Sequence, residues 1–184
     1  MNLYLIRHTK VDVPAGICYG QTDVALLSSF SEEASEIQTK LANIRFTHCF
    51  SSPLKRCRKL AETIVSGTLN IRDDNRLKEL NFGKWEGKPW NSFHETEEAK
   101  KWFNDYLNVA CPDGESYRQL LERVLLFLND LSQLPDDSTV LIVSHGGPIR
   151  GILAQIENID PREIFEIPVN YGEVKKINLK QSRQ

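Results

Sequence analysis

Two buried-strand patterns, the apolar run at residues 3–6 and the β-branched and apolar run at 139–143, stand out from a chain of otherwise mixed character, and each stops abruptly in polar chemistry. Short continuous runs suit strands covered on both faces, as in a parallel sheet between helices, where polar and apolar positions need not alternate. Residues 46–50 read as another strand, 69–71 as a short one and 174–179 as a final edge strand. Between these runs the period lengthens. A helix starting at Ser28 or Ser31 and ending near residue 43 puts Ala34, Ile37 and Leu41 on one stripe. Pro53 opens a second helix that carries Leu60, Ala61, Ile64 and Val65 and stops near Gly67. The turn from Cys111 to Ser116 offers capping residues, and the clearest helix follows it. There Tyr117, Leu120, Leu121, Val124, Phe127, Leu128 and Leu131 recur at helical spacing. Pro148 opens another helix through Ile156, and residues 161–165 form a short one. Residues 91–108 are polar, aromatic and poor in small aliphatics. They predict a helix suited to a lid or insertion at about 85–110, with an ordinary amphipathic helix as the alternative. Strands alternating with helices predict an α/β fold, a three-layer α/β/α sandwich on a mostly parallel sheet, with residues 1–184 as one domain.

Composition narrows the class without naming a function. The chain has 184 residues, 40% hydrophobic and 26% charged, with a formal net charge of -2. That balance suits a soluble globular domain and gives no reason to expect nucleic acid or an anionic membrane as partner. A small anionic metabolite remains compatible, because local cations decide there, and the oligomeric state is left open. No apolar run approaches the roughly 20 residues that span a bilayer, and the N-terminal apolar stretch is too short for a secretory leader. Cys18, Cys49, Cys57 and Cys111 show no C-x-x-C spacing, so reduced thiols and a cytoplasmic location are the expectation.

The candidate chemistry sits where strands end. Arg7 and His8 close the first run, Ser51 to Arg56 follow the second strand, and His145-Gly146-Gly147 follows the run at residues 139–143. In open α/β sheets ligands bind at the carboxyl ends of strands. Helix N-termini favour anions, so the cations Lys55, Arg56 and Arg58 at the start of a helix need a reason; a solvated surface cluster is the plain one. Two glycines before a helix let backbone N–H groups approach an anion. Together these residues describe a phosphate site. A metal site would need several carboxylates or cysteines beside the histidines, and no such set stands at these strand ends.

Four blocks then carry a resemblance. Leu5-Ile6-Arg7-His8-Thr9, Ser51-Ser52-Pro53-Leu54-Lys55-Arg56-Cys57, residues 77–87 (LKELNFGKWEG) and Val143-Ser144-His145-Gly146-Gly147 resemble, in order, the signature blocks of the histidine phosphatase (phosphoglycerate mutase-like) superfamily. Residues 7–24, RHTKVDVPAGICYGQTDV, resemble the alpha-ribazole phosphatases of cobalamin biosynthesis, and the turn at Pro112 to Ser116 fits them. The resemblance implies a phosphomonoesterase needing no metal and no cofactor. His8 would be the nucleophile that becomes phosphohistidine, Arg7, Arg56 and His145 would bind the phosphoryl group, and Glu79 would be the proton donor. Gly146 would add an amide donor, and Gln21 and Thr22 would contact substrate from the first loop. The implied substrate is alpha-ribazole 5'-phosphate. Rival readings are a generalist sugar-phosphate phosphatase, a phosphoglycerate mutase and a catalytically silent phospho-ligand binding module.

Some positions depart from the family pattern or keep two readings. Thr9 stands where Gly is frequent, residues 10–14 replace a block that carries Asn in many mutases, and Leu60-Ala61 replaces Thr-Ala. Glu86 lies in the same loop as Glu79 and competes for the proton-donor role. Trp85, Trp90, Phe93, Trp102, Phe103 and Tyr106 either wall the leaving-group pocket or pack among themselves.

Overall fold

The apolar runs form the middle of one five-stranded sheet, in a computed structural model that describes residues 1–179. The strands are β1 (Asn2–Arg7), β2 (His48–Ser51), β3 (Ile71–Asp73), β4 (Thr139–Ser144) and β5 (Val174–Asn178). Their order is β3-β2-β4-β1-β5, parallel except for β5 at the edge. The expected α/β fold on a mostly parallel sheet is what forms. Leu3 and Leu5 of β1, with Val140 and Ile142 of β4, enter the larger core. Tyr4 and Ile6, with Leu141 and Val143, enter the smaller core on the opposite face. Both faces are therefore covered, which explains why the strand sequences do not alternate.

Helices α1 (Phe30–Leu41) and α2 (Lys55–Val65) close the smaller core. Helices α4 (Tyr117–Leu131) and α5 (Gly146–Glu157) close the larger one, and α3 (Glu97–Asn104) packs Ala99 and Trp102 into it. The best-signalled helix, α4, starts with a reciprocal capping box between Ser116 and Gln119.

Several boundaries differ from expectation; helix α2, expected to open at Pro53, starts at Lys55 with Leu54 as its N-cap. Helix α1 takes Ser29 as its N-cap, in place of Ser28 or Ser31, and Ser29 Oγ bonds Glu33 at 2.6 Å. Helix α5 begins two residues before Pro148. A proline in the first turn forfeits only an N–H that has no intrahelical partner. Residues 91–108 form no long helix. After a 3₁₀ turn at Gly83–Trp85 comes another at Trp90–Ser92 and then α3, which Thr96 caps by accepting from the Ala99 N–H.

The parallel register sets what meets what. Arg7 pairs with Ser144, and Ser51 with Val143. Two further backbone bonds, His8 N–H to Ser144 O at 3.0 Å and Ser52 N–H to Val143 O at 2.9 Å, extend the ladder. The residues just past β1, β2 and β4 are thereby brought to one edge.

Candidate active site

His8 leaves β1 almost closed to solvent, 2% exposed, on the floor of a cavity of about 760 Å³. Its Nδ1 lies 2.7 Å from the Thr9 carbonyl. A carbonyl only accepts, so Nδ1 carries the proton and Nε2 keeps its lone pair. Burial, then the Arg56 guanidinium, lowers the His8 pKa to about 3, with Arg7 adding a smaller push against the Thr9 bond. The imidazole is neutral at physiological pH and one nitrogen is free to act as a nucleophile.

Arg56, in the first turn of α2, is completely buried. It donates from Nη2 to Gly20 O at 2.5 Å, from Nη1 to Thr22 O at 2.9 Å and from Nε to His145 Nδ1 at 3.2 Å. Among the described residues it has no carboxylate partner. Since an isolated buried charge is expensive, a guanidinium satisfied only by neutral acceptors marks a place built for an anion. His145 caps α5 and is also fully buried; its Nε2 reaches Ser52 Oγ at 2.8 Å. Because Arg56 donates to Nδ1, the His145 proton sits on Nε2. Burial, Arg56 and the neighbouring His8 push its pKa well down. The two imidazole centroids are 5.1 Å apart. Neither Arg56 nor His145 lines the cavity. Arg7 does line it. Its Nη1 donates to Val169 O at 2.7 Å, its guanidinium stacks 3.8 Å from the Tyr171 ring, and its Nε is buried without an acceptor.

Glu79 and Glu86 separate cleanly. Glu86 accepts from the backbone N–H groups of Gln21 at 2.8 Å, Thr22 at 2.6 Å and Phe82 at 3.1 Å, and from the Thr22 hydroxyl. It fastens two loops together and does not line the cavity. Glu79 does line it, at the N-terminus of α5, where the Gly147 N–H donates to it at 3.1 Å. A Cβ at Gly147 would fall 2.2 Å from Glu79 Oε1, so glycine is required for the carboxylate to sit there. Arg123 of α4, paired with Glu115, donates to the Glu79 carbonyl at 3.0 Å and holds the loop. Gln21 and Thr22, expected to contact substrate, are both engaged within the protein. Gln21 Nε2 donates to Glu79 O at 3.0 Å, Thr22 is taken up by Glu86, and neither residue lines the cavity. Gly146 starts α5, with Arg7 and Arg150 near it.

Away from His8 the cavity is aromatic, with Phe82, Trp90, Trp102, Phe103, Tyr106, Tyr117 and Phe165 in its wall. Trp85 and Phe93 instead stack on each other in the core, centroids 5.0 Å apart. Wall and packing are thus both realised, by different members of the cluster. Sequence reasoning missed Tyr19, Tyr171 and Arg150. The hydroxyls of Tyr19 and Tyr171 meet at 2.6 Å, and the Tyr171 ring lies 5.4 Å from His8. Tyr171 belongs to no recognisable block, whereas Arg150, five residues past His145 on the same helix, could have been inspected. The cysteines Cys18, Cys49, Cys57 and Cys111 are free and buried. Among the described residues no three or more His, Cys, Asp or Glu side chains group as a metal site would need. No helix among them is long and apolar enough to cross a membrane.

Comparison with known proteins bears on the family and the fold. The family model of the histidine phosphatase superfamily (branch 1) matches residues 3–184. A "Probable phosphoglycerate mutase GpmB" of Escherichia coli O1:K1 is 34% identical over 152 residues, covering 79% of this chain and 70% of the relative. The crystal structure of an alpha-ribazole phosphatase from Shigella flexneri superposes with a TM-score of 0.92 at 26% identity, covering 98% of this chain and 92% of that one. A mycobacterial glucosyl-3-phosphoglycerate phosphatase shares the fold, at a TM-score of 0.84 and 22% identity over 95% of this chain and 88% of that one. With the family model spanning nearly the whole sequence, and His8, Arg7, Arg56, Glu79 and His145 gathered at one sheet edge, the chain belongs to the histidine phosphatase superfamily.

Proposed function

We propose that the protein is a metal-independent phosphomonoesterase working through phosphohistidine at His8, with alpha-ribazole 5'-phosphate as its substrate. The observation that carries the reaction class is charge balance around a neutral imidazole. Arg7, Arg56 and Arg150 make no ion pair among the described residues, and Glu79 is the one carboxylate in the cavity lining. A phosphate monoester dianion matches that surplus. In the first step His8 Nε2 attacks phosphorus in line, the bond to the leaving oxygen breaks, and Glu79 gives that oxygen a proton. In the second, Glu79 takes a proton from water as the water oxygen attacks phosphorus. The N–P bond then breaks, its electron pair returns to Nε2, and phosphate leaves. Arg7 meets the phosphoryl oxygens from the cavity. Arg56 and His145 reach them by exchanging their Gly20, Thr22 and Ser52 bonds for charge-assisted ones.

The substrate rests on coarser support. The Shigella flexneri neighbour carries the name alpha-ribazole phosphatase, and an aromatic cavity of about 760 Å³ suits a flat heteroaromatic base attached to a sugar phosphate. The relative named as a phosphoglycerate mutase makes 3-phosphoglycerate the counter-substrate. The test is phosphate release from both compounds in excess EDTA, beside His8→Ala. Release from alpha-ribazole 5'-phosphate by the wild type, undiminished by EDTA and absent in the variant, is the expected result. Release from 3-phosphoglycerate alone overturns the substrate. Phosphate binding without turnover of either compound overturns the reaction class in favour of a binding module.

A further inference from the structure

The three arginines at the site without an ion pair among the described residues are not equivalent. Arg7 is stacked on Tyr171 and bonded to Val169, and Arg56 is bonded to Gly20, Thr22 and His145. Arg150 commits only its Nε, which donates to Ile167 O at 2.9 Å. Among the described residues it makes no ion pair, and neither Nη meets an acceptor. The side chain is half-buried and lines the cavity, and neither Nη is among the buried polar atoms left without a partner. A guanidinium pinned at Nε with both Nη groups open presents a planar, bidentate donor edge.

Its position says what that edge would read. A Cβ built on Gly146 would lie 2.9 Å from Arg150 Nη1 and 3.7 Å from Arg7 Cζ, so the two guanidiniums flank the start of α5 together. In the other direction, Arg150 Cζ is 6.0 Å from the Phe165 ring, which contacts Tyr106 and Tyr117 at 4.7 and 5.2 Å. Arg150 thus stands between Arg7 at the start of α5 and the ring of Phe165 in the aromatic wall.

We propose that Arg150 is a specificity-determining residue that holds a pair of acceptor oxygens on the leaving group, between the phosphoryl group and the aromatic wall. The inference rests on the phosphomonoesterase reading above. The shared chemistry is two oxygens that a guanidinium fork can grip, from the vicinal diol of a sugar or the carboxylate of a phosphorylated acid.

The experiment compares kcat/KM on ribose 5-phosphate, 3-phosphoglycerate and p-nitrophenyl phosphate, which has no such pair near phosphorus. Wild type is set beside Arg150→Met, which keeps the apolar stem, and Arg150→Lys, which keeps charge without the fork. The preference for one oxygen-bearing substrate over p-nitrophenyl phosphate falls about 10- to 100-fold in Arg150→Met, mainly through KM, with partial recovery in Arg150→Lys. Whichever substrate loses preference identifies diol or carboxylate. Equal falls on all three, or unaltered preferences, overturn the proposal, since a brace for Ile167 would act on every substrate alike. If the wild type hydrolyses none of the three, the reaction class is decided on alpha-ribazole 5'-phosphate as above, and calorimetry still decides on Arg150. Ribose 5-phosphate and 3-phosphoglycerate are then titrated against inorganic phosphate. Loss of tighter organic-phosphate binding in Arg150→Met supports the inference, and its persistence overturns it.

Discussion

Burying His8 beside Arg56 makes stability depend on pH in a way that one substitution isolates. The imidazole titrates at about 6.5 when unfolded and at about 3 in the folded chain. Above 6.5 both states are neutral and the group contributes no pH dependence. Between the two values the unfolded chain binds a proton that the folded chain refuses, so stability is complete above about 6.5 and is lost as pH falls toward 3. The slope is about 1.4 kcal/mol per pH unit, and the loss from pH 7 to pH 5 is about 2 kcal/mol from this group alone. His145, also depressed, and the carboxylates add their own terms. Replacing His8 by Asn removes one titrating group and keeps a short polar side chain beside the Thr9 carbonyl. Urea unfolding of both proteins at pH 7, 6 and 5, in buffers free of phosphate, gives the comparison. The gap between them should move by about 2 kcal/mol in favour of His8→Asn as the pH drops to 5. At urea m-values of about 2 kcal/mol/M that is a relative midpoint shift of about 1 M. Parallel pH dependence would refute the reasoning, because His8 would then titrate alike folded and unfolded and would not be held as a neutral nucleophile.

Two further substitutions test the carboxylate. Glu79→Gln still accepts the Gly147 N–H but gives no proton, so kcat on an alkyl phosphate should fall about 10²- to 10⁴-fold. The fall should be much smaller with p-nitrophenyl phosphate, whose leaving phenolate needs little help, and equal losses would remove Glu79 from the proton-donor role. Gly147→Ala drives a methyl group to 2.2 Å from Glu79 Oε1 and displaces it. Lowered kcat with an unchanged far-UV circular dichroism spectrum is expected, and wild-type kcat would show that the carboxylate does not act from that position.

What was legible in the sequence was local in origin. Residues 3–6 and 139–143 announce strands because both faces of β1 and β4 are buried, so apolarity alone marks them. Helix α4 announces itself through a stripe and a capping box that lie within one segment. The clustering of Arg7, Arg56 and His145 was also within reach, because parallel strands bring their carboxyl ends to one edge. The start of α5 was misread because a proline inside a first turn looks the same as a proline opening one, and the short α3 because Thr96 caps a helix in the middle of a run that reads as continuous. Tertiary structure alone decided the rest. Glu79 and Glu86 are the same residue type in one loop. They part only when the fold gives Glu86 the Gln21, Thr22 and Phe82 amides and leaves Glu79 in the cavity against Gly147. Tyr171 comes to Arg7, and Arg150 to the cavity wall, through contacts between segments far apart in the chain. The sequence by itself determined which residues could do phosphate chemistry, because burial and charge are written residue by residue. Which carboxylate, which arginine and which ring face the cavity was decided by register and packing, which exist only once the sheet has assembled.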